Sequence, residues 1–302
     1  MKQHLPTKTD LCALLDEAGL RPDKRLGQNF LIDGNLMRLL VSEADLGRSD
    51  VVLEVGAAVG NLTELLASQA GWVVAVELDA ALGQIGRLRL AKQKNVDYVV
   101  ADILAGKHHI SPDALGRIAQ RQRETGGLVK LVANLPYGAA TPLLAELVMS
   151  DAPPERLVFT VQEEVALRLS AARGTRAYGP VGVVVQALAE VELLRPLPPT
   201  VFWPQPQVNS SMVRLRPQPA LRGRIADLGV FRRTVEGLFA HRRKRAARSL
   251  SLADAESRPT DFWESRLRAA GLSPAARGEM FSVEEIVRLA NVVAAEGPKE
   301  GA

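Results

Sequence analysis

The chain has 302 residues, 47% of them hydrophobic and 24% charged, with Cys12 as its single cysteine. This composition excludes a chain disordered in its main state, because it carries enough apolar surface for a substantial core. It also excludes an intramolecular disulfide and a cysteine-based zinc site, so no metal is expected. The net charge of +4 is too small to name a partner by itself. The most apolar runs, such as Val181 to Val185, fall far short of the roughly 20 residues a membrane-spanning helix needs. Lys2, Lys8, Asp10 and Asp16 leave no long apolar core at the N-terminus. A cytoplasmic protein without a signal peptide is therefore expected.

In chain order, Asp10 to Ala18 predicts a short helix, capped by Asp10 and ended by Gly19. Arg21 to Asp33 is a polar, glycine-containing loop, and Asn35 to Asp45 has apolar residues at helical spacing. Val51–Leu53, Val73–Val76, Val96–Val100, Leu128–Ala133 and Leu157–Val161 predict five buried strands, with helical stretches such as Asn61 to Ser68 between them. The polar segment 105–127 predicts a surface excursion with a short helix. Val181 to Leu188 is helical, and Glu190–Leu194 and Val208–Leu215 are extended on either side of a proline-rich stretch. From Leu221 onward only helical patterns follow. Apolar strands alternating with helices imply an α/β fold with a mainly parallel sheet covered on both faces. The predicted division is 1–220 and a small helical domain at 221–302.

Charge is concentrated in that helical region. Seven Arg or Lys residues and one acid, Glu236, lie between Phe231 and Leu250, so the rest of the chain is slightly acidic. Such a patch favours a polyanion, although a charge run also serves as an ordinary solvated helix face.

Glu54-Val55-Gly56 leads from a strand into Ala57-Ala58-Val59-Gly60 and a helix. A turn of this kind lies at the carboxyl edge of an α/β sheet, where ligands bind. Glu77 ends the next strand about 20 residues on, the spacing of an acid that accepts both hydroxyls of a ribose. The pair points to an adenosine-containing cofactor, either NAD(P) or S-adenosylmethionine. Asp102, after the third strand, is placed to accept the exocyclic amine of adenine, or to cap a turn.

Asn134-Leu135-Pro136-Tyr137 follows the fourth strand and separates the two cofactors. Pro136 biases Leu135 to an extended conformation, so the backbone carbonyls point outward. With the Asn134 side-chain oxygen they form acceptors for an amino group, and Tyr137 offers a flat face for a base. The adenine N6 lone pair is delocalised into the ring, and acceptors on its N–H groups return density to nitrogen. A sulfonium donor is already activated, so alignment and electrostatics suffice without a strong base.

With these residues the chain resembles the ribosomal RNA adenine N6,N6-dimethyltransferases, which modify two adjacent adenosines near the 3′ end of small-subunit RNA. The resemblance rests on Lys24-Arg25-Leu26-Gly27-Gln28-Asn29-Phe30-Leu31, Leu53 to Gly56, Val76 to Asp79, Ala101-Asp102, Asn134 to Tyr137 with Thr141 to Leu144, Gln162 to Ala166, Tyr178-Gly179, Phe202 to Ser210 and His241-Arg242-Arg243-Lys244-Arg245 to Ser249-Leu250, in that order and over nearly the whole chain. It implies a Rossmann-like seven-stranded methyltransferase sheet with a small C-terminal helical domain, working as a monomer on small-subunit ribosomal particles. It also implies S-adenosyl-L-methionine contacts at Gln28, Asn29, Leu31, Gly56, Glu77, Asp102 and Asn134. Asn134, Leu135, Pro136 and Tyr137 would be catalytic. Phe202 would sandwich the base with Tyr137, or belong to the core. Lys24, Arg25, Arg242, Arg243, Lys244 and Arg245 would hold RNA phosphates.

The chain departs from the family pattern at Ala57-Ala58, where another glycine is usual, and at Gly138, Glu163 and Pro180, where Asn, Lys and Arg are common. The Cβ of Ala58 is expected to crowd the methionyl part of the cofactor. Three competing readings remain: a non-catalytic RNA-binding assembly factor, a large-subunit RNA methyltransferase of the antibiotic-resistance type, and an NAD(P) dehydrogenase. The last lacks a residue set for hydride transfer.

Overall fold

The computed structural model describes residues 7–23, 26–106 and 109–295. Its elements are α1 (Lys8–Glu17), β1 (Phe30–Leu31), α2 (Gly34–Glu43), β2 (Val51–Val55), α3 (Asn61–Ala67), β3 (Trp72–Glu77), α4 (Ala80–Leu90), β4 (Val96–Val100), α5 (Pro112–Thr125), β5 (Val129–Asn134), α6 (Tyr137–Met149), β6 (Arg156–Gln162), α7 (Glu163–Leu169), α8 (Pro180–Leu188), β7 (Ala189–Leu197), β8 (Phe202–Trp203), β9 (Ser210–Pro217), α9 (Pro219–Arg222), α10 (Leu228–Ala240), α11 (Ala246–Ala253), α12 (Thr260–Ala269) and α13 (Val283–Ala294). The chain divides into two compact units. One contains the residues up to Ala166 with Glu192–Pro217, and the other contains Leu167–Val191 with the residues from Gln218 onward.

Seven strands form one sheet in the order β4-β3-β2-β5-β6-β9-β7. From β4 to β6 neighbouring strands are parallel, and β9 runs antiparallel to β6. Every residue of β2 is buried, as are the inner residues of β3, β5 and β6. That is why these strands show as continuous apolar runs instead of alternating ones. Strand order reverses between β2 and β5, since β3 and β4 extend to one side and β6 to the other. Ligands of open α/β sheets bind at such a switch point, beyond the carboxyl ends of the strands.

The structure corrects three local expectations. Thr7, not Asp10, caps α1, and Asp10 is the third helical residue of a reciprocal capping box with it. The helix of segment 105–127 is α5, fourteen residues long, because Ala114 and Ile118 bury against the sheet. The loop before α2 holds the two-residue strand β1, which pairs antiparallel with β8 through Phe30↔Trp203 and Leu31↔Phe202.

In the second unit, α10 packs on α11 and α13, and α12 packs on the same two helices. Phe231, Val235, Leu238, Leu250, Leu267 and Ile286 are buried there. Tyr178 meets Phe239 edge-on at 5.8 Å, and its hydroxyl donates to the Phe281 carbonyl at 2.9 Å. Among the described residues no helix is long and apolar enough to cross a membrane.

Candidate active site

Parallel register places the carboxyl ends of β2, β3, β4 and β5 on one edge. A cleft enclosing about 720 Å³, much of it open to solvent, lies along that edge. Gln28, Asn29, Gly56, Ala58, Glu77, Leu78, Asp102, Ile103, Asn134, Leu135, Pro136 and Tyr137 are among its lining residues. A smaller hollow of about 420 Å³ is lined by Leu31, Met37, Glu54, Ala57, Asn61 and others, and shares Gly56, Ala58 and Asn134 with the cleft.

Gly56 sits at φ +80°, and a Cβ there would lie 3.0 Å from Cγ of Pro136. The floor between the two loops therefore needs glycine on both steric and conformational grounds. Ala58 also occupies the left-handed region, at φ 51°, a conformation that costs a non-glycine residue roughly 1–2 kcal/mol. Its backbone N–H donates to Oε2 of Glu77 at 2.8 Å, and the Asp79 N–H donates to Oε1 at 2.8 Å. Glu77 is 7% exposed. Burial raises its pKa, and those two N–H groups pull it back. A carboxylate has about four lone-pair sites, so acceptor capacity remains for a ribose hydroxyl.

Glu54 lies one strand inward and is almost fully buried. Burial, with the charge of Glu77 adding to it, pushes its carboxyl up to about 8. Among the described residues its Oε2 has no hydrogen-bond partner. A cationic group in the smaller hollow would satisfy that oxygen and stabilise the carboxylate. S-adenosylmethionine carries an ammonium on its methionyl part and a ribose diol on its nucleoside, so the residues present fit it.

Asn134 ends β5. Its Nδ2 donates to the Asn29 carbonyl at 2.9 Å, and its Oδ1 accepts from the Thr160 hydroxyl at 2.5 Å. Both ends of the amide are thus oriented from rigid neighbours, and Oδ1 retains one lone pair. Leu135 is buried and donates its N–H to the Thr160 carbonyl at 3.2 Å. Tyr137 is half-buried, with its hydroxyl 3.1 Å from Oγ of Ser210. Thr160 and Ser210 were not singled out from the sequence. A lone threonine inside the apolar strand Leu157–Val161 was the available signal.

Other residues take different places. The Gln28 side chain bridges Asp23 and Asp79, so it braces the wall of the cleft instead of offering free groups to it. Asp102 closes a turn through the Leu104 N–H at 2.8 Å, with one oxygen remaining. Leu31 lines only the smaller hollow. Phe202 is 3% exposed and packs in the core with Leu31, Leu36 and Met212, and it does not line the cleft. It lies on β8, opposite Leu31 of β1.

In the second unit, Arg243, Lys244 and Arg245 are exposed in the turn joining α10 to α11, not on a helix. Arg242 lies beside Glu279 at 3.5 Å and donates to the Tyr178 carbonyl at 3.1 Å, so its guanidinium braces the 176–178 segment. Lys24 and Arg25 lie outside the described residues.

The model of the ribosomal RNA adenine dimethylase family matches residues 20–292. A ribosomal RNA small subunit methyltransferase A from Bacillus cytotoxicus is 38% identical, over 93% of this chain and 94% of that protein. The protein of the same name from Bacillus mycoides is 36% identical with the same coverage. Among solved structures, a dimethyladenosine transferase from Plasmodium falciparum superposes with TM-score 0.66 at 18% identity, covering 85% of this chain and 94% of that one. The 23S rRNA methyltransferase ErmE gives TM-score 0.57 at 25% identity, over 87% and 99%. The expected fold and family are therefore those observed: the chain belongs to the ribosomal RNA adenine dimethylase family.

Proposed function

We propose that this chain transfers methyl groups from S-adenosyl-L-methionine to N6 of two adjacent adenosines near the 3′ end of small-subunit, 16S-type ribosomal RNA. It would act during ribosome biogenesis, on a small-subunit precursor particle, as a cytoplasmic monomer. The observation that carries the reading is that Asn134, Leu135, Pro136 and Tyr137 line the same cleft as Gly56 and Glu77, at the point where strand order reverses. The relatives named small subunit methyltransferase A support the choice of RNA.

When bound, the cofactor supplies a methyl group already activated on a sulfonium. The chain's residues do the rest. Glu77 holds the ribose hydroxyls, Asp102 the adenine amine, and Glu54 the ammonium. Asn29 and Gln28 fix the wall, and Leu31 closes the smaller hollow. The target adenosine leaves its stack and lies on Tyr137, a contact worth about 1–3 kcal/mol. Oδ1 of Asn134 and the backbone of the following residues accept from the N6 amine and orient its lone pair. The helical domain, predicted at 221–302 and joined in the structure by Leu167–Val191, would hold phosphates through Arg243, Lys244 and Arg245, and Lys24 and Arg25 of the other domain would hold phosphates of their own. Arg242 serves by bracing the segment at Tyr178.

The test is incubation with labelled S-adenosylmethionine and unmethylated small subunits, followed by mapping of the modified bases. Label on two adjacent adenosines near the 3′ end is the expected result. Label confined to large-subunit RNA, or none, overturns it. Ala58 in a left-handed conformation favours a second reading, an RNA-binding assembly factor that no longer methylates. An Asn134→Ala variant separates the two, since only an enzyme loses methylation while keeping RNA binding.

A further inference from the structure

The Ala58 peptide is the weak point of the cofactor loop. Its N–H must face Glu77 for that carboxylate to be held, and this requires a φ that alanine disfavours and glycine adopts freely. Two side chains from outside the loop grip it. The Tyr98 hydroxyl donates to the Ala58 carbonyl. Arg89 donates to the Val59 carbonyl at 2.6 Å and to Oδ1 of Asn61 at 2.8 Å. Tyr98 comes from β4, and its ring reaches the loop beneath α4 only because residue 86 is glycine. A Cβ on Gly86 would lie 2.6 Å from each of Cε2, Cζ and the hydroxyl oxygen of Tyr98. Burial and the nearby charges of Glu77 and Glu54 keep the hydroxyl protonated and hence a donor.

Given the cofactor reading above, on which this rests, we propose that Tyr98 is a positioning residue for S-adenosylmethionine: its hydroxyl holds the Ala58 peptide in the left-handed conformation that aims the Ala58 N–H at Glu77 and so fixes the ribose-binding carboxylate. Released from Tyr98, the alanine relaxes toward negative φ. The Ala58 N–H then turns away from Glu77, and the carboxylate loses one of its two backbone anchors. The pairing of Tyr98 with Gly86 takes over what a glycine at position 58 would do unaided.

The experiment is calorimetric titration of S-adenosylhomocysteine into the wild-type chain, Tyr98→Phe, Ala58→Gly and the double variant, with thermal unfolding of each and KM and kcat for S-adenosylmethionine. Tyr98→Phe should raise the dissociation constant by about three- to tenfold, with the kinetic effect falling on KM and not on kcat. On the Ala58→Gly background the same change should shift binding by less than about twofold, since glycine does not need the clamp. A merely structural tyrosine would lower the unfolding temperature equally on both backgrounds and leave binding alone, which overturns the proposal. An equal loss of affinity on both backgrounds also overturns it. Should Tyr98→Phe fail to fold alone, the proposal requires that the double variant fold and bind like Ala58→Gly, and failure there sinks it. No binding by the wild-type chain would instead refute the cofactor reading itself.

Discussion

Two loops leave the sheet on either side of the switch point, and they are held in place by different means. The segment Asn134–Tyr137 ends β5 and opens α6; Thr160 of β6 and Asn29 from the loop before β1 fix the Asn134 amide, and Ser210 of β9 meets the Tyr137 hydroxyl. The segment Gly56–Gly60 follows β2 and contains an alanine at φ 51°, gripped by Glu77 through its N–H and by Tyr98 through its carbonyl. Two of the first loop's three partners, Thr160 and Ser210, are sheet residues that cannot move independently. The second loop is rigid only as long as individual side chains hold it. Changes in the first should therefore act on turnover, and changes in the second on cofactor affinity.

The strongest test of that division is Asn134→Ala. It should lower kcat by about 10²–10³-fold while RNA affinity, measured by filter binding, stays within about twofold. Equal losses in both would place Asn134 outside the chemistry. Next is Glu77→Ala, which removes a charged acceptor and strands the N–H groups of Ala58 and Asp79. Calorimetry should show the cofactor dissociation constant rising by about 10- to 100-fold. An unchanged constant would show that the ribose sits elsewhere.

Thr160→Val tests the catalytic loop more gently, removing the hydroxyl that orients Asn134 while keeping side-chain shape. Steady-state kinetics should give a kcat reduced by about three- to tenfold with KM for the cofactor unmoved. A change in KM alone would break the proposed contrast. A test of a different kind concerns Glu54, whose carboxyl is pushed from 4.5 up to about 8 by burial. Between those values the unfolded chain has released the proton while the folded chain retains it. Stability of the ligand-free protein therefore falls as pH rises through that window. Thermal unfolding from pH 5 to 8 should show this slope, Glu54→Gln should flatten it, and a slope unaltered by the substitution would remove Glu54 as its source.

The residues that a sheet edge demands were legible in the sequence. Val51–Leu53 and Val73–Val76 stand out because strands buried on both faces leave unbroken apolar runs, and Gly56, Glu77 and Asn134 follow from where those runs stop. Partnerships between distant segments were not legible. Thr160, Ser210 and Tyr98 act on residues far away in the chain, and nothing local to them distinguishes a clamp from an ordinary strand residue. Arg242 shows the same limit from the other side: within a basic string it looks like its neighbours, yet Glu279 and the Tyr178 carbonyl engage it. Phe202 had two readings from the sequence, and its place opposite Leu31, buried among core residues, could not be read there.

The pairing of Phe30–Leu31 with Phe202–Trp203, reinforced by a Phe30–Trp203 ring contact at 6.2 Å, bears on how the molecule is made. Chains emerge from synthesis N-terminus first and fold as they lengthen. A nascent polypeptide ending at Met149 already holds Gly56, Glu77 and Asn134, yet the stretch from Leu26 to Phe30 that walls the cleft still lacks its partner strand. That pairing can therefore form only once Phe202 and Trp203 have been added.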